Sequence, residues 1–115
     1  AALEKIAPQI NEILWVTEIR AIAADDLWMS PHYQRDSIGI HFTWKKVDAV
    51  YEMVKVVEAT LAPFGYRPHL GKVFSASPDY FKSVMPKFDD FKKLVTEIDP
   101  TNKFGNEFTN RLIGR

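Results

Sequence analysis

The stretch DSIGIHFTW, residues 36–44, alternates at period two between large apolar side chains and small polar ones, which is the signature of an extended strand. Ile38, Ile40, Phe42 and Trp44 fall on one face, and Ser37, Gly39, His41 and Thr43 on the other. A strand face turned to bulk water usually carries Lys, Glu or Gln. Small groups gathered around an imidazole raise the question of whether that face meets water or a ligand. A second strand is expected in ILWVTEIRAI, residues 13–22, where β-branched and aromatic residues dominate. Two strands alone are marginal, so the rest of the chain must supply the packing.

Helical periodicity supplies it. Val47, Val50, Val54, Val57 and Leu61 form one apolar stripe, predicting a helix over about residues 46–62 that ends at Pro63 and Gly65. Residues 2–10 suggest a short helix with Leu3, Ile6 and Ile10 on one side, interrupted at Pro8. AADDLWMSPHYQRD, residues 23–36, reads as a long connection with turn chemistry at Ser30-Pro31. GYRPHLGKVF reads as a turn leading into a loop or short strand. Beyond it, short helices are punctuated by Pro78, Pro86 and Pro100, with Phe81, Val84, Phe88, Phe91, Leu94 and Ile98 available for packing. The expected class is α+β, a small antiparallel sheet packed on helices, in a single domain over residues 1–115.

Composition narrows the function. Fifteen basic residues balance fifteen acidic ones, against the basic excess that a nucleic-acid or membrane-surface partner would require. With no cysteine there is no disulfide, thiolate metal site or cysteine nucleophile, which is compatible with a cytoplasmic location. His32, His41 and His69 lack the spacing of a zinc site, so no metal is expected. No apolar run approaches the roughly 20 residues of a membrane span. The chain contains no GxSxG, no phosphate-cradling glycine loop and no dinucleotide fingerprint.

The candidate chemistry lies on the strands. Glu18 and Arg20, two apart, project from one strand face. They read either as a surface ion pair of little energetic value or as a pair that fixes a polar ligand, the carboxylate accepting from hydroxyls and the guanidinium donating to a developing alkoxide. His41 and Thr43 repeat the spacing on the second strand, where they are either ordinary strand residues or further polar contacts. If the strands are neighbours, these groups converge over a rigid platform suited to a hydroxylated molecule. Lys72, after Pro68, His69 and Gly71, adds a cation on a loop, solvated or functional.

Taken together, EIRAIAADDLWMSP, IGIHFTW, LAPFGYRPHLGKVF and EIDPTNKFGNEF resemble the C-terminal part of bacterial alditol (xylitol-type) oxidases. That family is related to the D-arabinono-1,4-lactone oxidases, within the vanillyl-alcohol-oxidase class of flavoproteins. The likeness runs from about residue 13 to the end, with the motifs in family order. It implies a substrate domain lying over the ring of FAD that is held by a separate N-terminal domain. It also implies oxidation of a primary alcohol of a polyol, or of a sugar lactone, with oxygen reduced to hydrogen peroxide. Carried over by position, Glu18, Thr43 and His41 would bind substrate hydroxyls, with His41 the weaker candidate. Arg20 and Lys72 would act catalytically beside the reacting carbinol and the flavin N5 edge. No flavin-binding half is recognisable in these residues, so the chain is expected to be a section of a longer enzyme and inactive alone. The alternatives are a self-standing polyol- or sugar-binding module and a self-associating α+β domain, since an unpaired sheet edge favours a homo-oligomer.

Overall fold

The computed structural model describes residues 2–115. Among them are five α-helices and one two-stranded antiparallel sheet, in the order α1 (Ala7–Ile13), β1 (Leu14–Ile22), β2 (Ser37–Trp44), α2 (Ala49–Leu61), α3 (Pro78–Val84), α4 (Phe88–Ile98) and α5 (Glu107–Ile113). The α+β class expected from the sequence is the class observed.

Prolines set several boundaries. Pro8 opens α1 rather than breaking a helix, because a first-turn residue has no intrahelical partner for its N–H. The single helix expected over residues 2–10 is therefore a 3-10 turn at Leu3–Lys5 followed by a helix reaching Ile13. Pro63 continues α2 through a 3-10 turn, Ala62–Phe64, which Gly65 closes at φ 59°, a left-handed conformation that a side chain would oppose. Pro78 begins α3, where the Ser77 hydroxyl accepts the Tyr80 N–H at 3.2 Å. Asn106 and Thr109 cap α5 reciprocally, each side chain accepting the other's backbone N–H at 2.9 Å. The segment after Gly65 forms an irregular loop rather than a strand.

The register of the sheet decides what shares a face. Val16 pairs with Thr43, Glu18 with His41, Arg20 with Gly39 and Ile22 with Ser37; the opposite face holds the pairs Thr17–Phe42, Ile19–Ile40 and Ala21–Ile38. The ladder is irregular between Leu14 and Val16, so Trp15 stands outside it, its ring 5.5 Å beneath the Lys45 ammonium. Ile40 and Phe42 are half-buried, whereas Ile19 and Ile38 are 71% and 64% exposed, so packing covers the apolar face incompletely.

The main core lies away from the sheet. Phe81 and Met85, 0% and 1% exposed, cluster with Phe88, Leu112 and Ile113, and Met29, Leu70, Phe74 and Phe91 pack around them. Two residues expected to pack do not: Leu94 and Ile98 are exposed. Leu94 lies off the Phe88–Phe91–Val95 stripe by a quarter turn, and Ile98 is the last residue of α4, beyond the core's reach. From α2, Val50, Val54 and Val57 are buried as the stripe predicts, together with Ile10 of α1, while Val47 precedes the helix and is exposed.

Three polar ties fasten the loop after Gly65 to its surroundings. The Arg67 guanidinium donates to the carbonyls of Val84 (2.8 Å), Tyr33 (2.9 Å) and Pro31 (3.3 Å), joining the β1–β2 connection to the end of α3. Glu58 of α2 accepts the Ser75 N–H at 3.1 Å and its hydroxyl, while the Tyr80 hydroxyl donates to the Tyr66 carbonyl at 2.9 Å. Burial, then the Glu58 carboxylate, push the Tyr66 phenol above its ordinary range and keep it a donor; burial and the same carboxylate raise Tyr80.

Candidate functional site

The β1–β2 register sets Glu18 beside His41 on the sheet's polar face, with Arg20 one step along it. One carboxylate oxygen of Glu18, Oε2, accepts from the Arg20 guanidinium at 2.6 Å and lies 3.8 Å from His41 Nδ1. Arg20 stands opposite Gly39, so no side chain crosses from β2 to crowd the guanidinium, which folds along its own strand to Glu18. Gly39 has its own reason to lack a side chain: a Cβ there would lie 2.8 Å from Cδ1 of Ile22.

The triad is open to solvent, with 69% of the Arg20 side chain accessible. An exposed ion pair of this kind adds at most about 1 kcal/mol of stability. It does fix geometry: Arg20 holds one Glu18 oxygen, and the other accepts no hydrogen bond among the described residues. A carboxylate with one oxygen anchored and one free can accept from a ligand hydroxyl. The guanidinium retains donors beyond the one it gives Glu18, and these suit an alcohol or alkoxide oxygen. Thr43 lies on the same face opposite Val16, exposed, and two residues beyond His41, which on a strand is roughly 6.6 Å. That spacing exceeds the separation of neighbouring hydroxyls on a polyhydroxy chain, so the two side chains suit oxygens several carbons apart.

Four of the five sequence-derived candidates, Glu18, Arg20, His41 and Thr43, thus share one strand face. Lys72 is not joined to them. It lies exposed in the 66–77 loop, where its backbone N–H donates to the His69 carbonyl at 3.0 Å, and its ammonium has no partner among the described residues. An open cavity of about 440 Å³ at the far end of the hairpin is lined by Ala21, Ile22, Ala23, Asp36, Ser37 and Ile38, none of them a candidate. No group of three or more His, Cys, Asp or Glu among the described residues could hold a metal ion, and no described helix is long and apolar enough to cross a membrane.

Sequence reasoning overlooked the residues that hold the lysine loop in place. Arg67 and Glu58 carry no catalytic pattern, and their roles depend on which carbonyls and hydroxyls the fold brings to them. The signal available for Arg67 was its position immediately before Pro68 in the same motif as Lys72.

A sequence model of the D-arabinono-1,4-lactone oxidase family matches residues 2–112. The chain is 37% identical over 113 residues to an alditol oxidase of a Streptomyces species, covering 97% of this chain and 27% of that protein. It is 28% identical over 105 residues to an L-gulono-1,4-lactone dehydrogenase of Mycobacterium tuberculosis, with 89% of this chain and 24% of that protein covered. To the L-gulonolactone oxidase of Mus musculus it is 28% identical over 99 residues, covering 83% and 22%. The chain spans about a quarter of the length of these curated relatives.

Proposed function

The chain belongs to the D-arabinono-1,4-lactone oxidase family, and from that premise we propose that it forms the substrate-binding surface of an FAD-dependent oxidase acting on an alditol or a sugar lactone. The observation that carries the reading is the one polar strand face on which Glu18, Arg20, His41 and Thr43 stand together.

The donor set fits the edge of a flavin ring rather than its dinucleotide tail. Arg20 and Lys72 are cations suited to an anionic oxygen or ring nitrogen. No glycine-rich turn among the described residues offers a pyrophosphate cradle, so holding the dinucleotide falls to the rest of a full-length enzyme. When bound, the flavin supplies the hydride acceptor. Glu18 and Thr43 accept from and donate to hydroxyls remote from the reacting carbon, with His41 a secondary contact, and so set which carbon is presented. Arg20 and Lys72 stabilise negative charge on the reacting oxygen as its proton leaves. In the whole reaction the substrate carbinol loses two electrons and two protons, and oxygen gains both to become hydrogen peroxide.

Calorimetric titration of the chain with xylitol, sorbitol and L-gulono-1,4-lactone tests the binding half of this reading. Weak binding is expected for at least one, abolished by Glu18→Ala together with Thr43→Ala; no heat from any of them sinks it. With added FAD and xylitol, the chain alone is expected to give no peroxide above a buffer blank.

Self-association belongs to the same proposal, because each strand of the sheet has one unpaired edge among the described residues and Ile19 and Ile38 are exposed. Antiparallel pairing of β1 with a second copy about Ile19 keeps polar and apolar faces matched. It also sets Glu18 opposite the second copy's Arg20 in both directions. Pairing about Glu18 would oppose two carboxylates instead. Sedimentation is expected to show a dimer that Ile19→Lys converts to monomer; a monomeric native chain at high concentration removes this part.

A further inference from the structure

The loop carrying Lys72 is anchored on both sides of the lysine. Upstream, Arg67 ties it to the Val84, Tyr33 and Pro31 carbonyls, and Leu70 packs on the Phe81 core. Downstream, Phe74 packs on the same core and Ser75 is held by Glu58. Between these anchors the turn is organised by one side chain. His69 Nδ1 accepts the Gly71 N–H at 3.0 Å, and the His69 carbonyl accepts the Lys72 N–H at 3.0 Å. The imidazole lies so close over Gly71 that a Cβ there would sit 3.2 Å from His69 Cε1 and 3.4 Å from Nδ1. Bond and close approach together fix where the lysine leaves the backbone.

We propose that His69 is a positioning residue for Lys72, fixing the backbone from which the lysine side chain extends through the Nδ1 bond to Gly71. This rests on the reading above that Lys72 acts at the reacting carbon. His69 touches neither substrate nor flavin in this assignment. Its imidazole plays the part that an Asn or Asp carbonyl oxygen plays when it accepts the N–H two residues ahead.

Asn is therefore the informative replacement, since its Oδ1 can accept the same N–H, whereas Ala cannot. Amide exchange in the chain itself, followed by NMR, gives a readout independent of catalysis. Gly71 exchange is expected to accelerate at least tenfold in His69→Ala and to return to near the native rate in His69→Asn, with the Phe81 and Leu112 amides unchanged. Equal Gly71 exchange in the native chain and His69→Ala overturns the proposal. In the flavin-loaded full-length enzyme, His69→Ala is expected to lower kcat about tenfold with KM nearly unchanged, and His69→Asn to recover most of the loss. In a Lys72→Ala background, His69→Ala should cost nothing further, because the two act as a unit. A full additional loss there overturns the proposal, as does unchanged kcat in His69→Ala beside a slow Lys72→Ala enzyme, which leaves the functional reading intact. A silent Lys72→Ala variant defeats that reading and the positioning role with it.

Discussion

Arg20→Ala in the flavin-loaded full-length enzyme is expected to lower kcat by about 10²–10³-fold, the range seen when one donor to a developing oxyanion is removed. The exposure of Arg20 makes this a discriminating test of its proposed role. Its ion pair with Glu18 is exposed, so removing it costs the fold at most about 1 kcal/mol. A slow enzyme with a native unfolding midpoint is the expected result. Arg20→Lys should recover little, because an ammonium cannot hold Glu18 and reach the reacting oxygen with the same planar fork. Stopped-flow measurement of flavin reduction, beside steady-state kcat, locates the defect at the chemical step. Unchanged flavin reduction in Arg20→Ala would remove Arg20 from the reaction and leave the ion pair a surface feature.

The largest structural effect is expected from Phe81→Ala. Phe81 is fully buried, the centre of the cluster formed with Met85, Phe88, Leu112 and Ile113, and its ring meets Phe74 edge-on at a centroid distance of 5.3 Å. Truncation removes the transfer energy of the ring, leaves a cavity between three helices and forfeits the aromatic contact, a loss of about 3–5 kcal/mol. Against a typical total of about 5–15 kcal/mol, that takes the chain to the margin of folding. Urea unfolding of the native chain and of Phe81→Leu, which keeps most of the volume, brackets the effect. A shift below about 1 kcal/mol for Phe81→Ala would mean that the helical half packs otherwise than described.

The strands were legible because period-two alternation is a local signal: Ile38, Ile40 and Phe42 announce a strand face without knowledge of anything else, and the face they imply for His41 and Thr43 is the one observed. Register was not legible, since nothing in either strand alone says that Glu18 meets His41 rather than Thr43. That follows from how the long connection closes, where Asp25 and Tyr33 form a bridge and the Ala24 N–H donates to Asp36 at 2.8 Å. The C-terminal helices were legible from their prolines, but not which apolar residues they bury. Phe91 and Leu94 look alike in the sequence, and only the position of α3 and α5 decides that one packs and the other does not. Arg67 escaped notice for a related reason, because its three acceptors are backbone carbonyls distant in sequence and invisible to side-chain patterns.

The proposed recognition face on the hairpin and the main core have no residue in common: Glu18, Arg20, His41 and Thr43 stand on the hairpin, while Phe81 and its neighbours hold the helices together. Substitutions on the hairpin would therefore change the proposed substrate contacts with little penalty to folding, whereas repacking of the helices would be felt at Lys72, whose loop rests on the core through Leu70 and Phe74. A hairpin set apart in this way can vary one residue at a time without disturbing the fold.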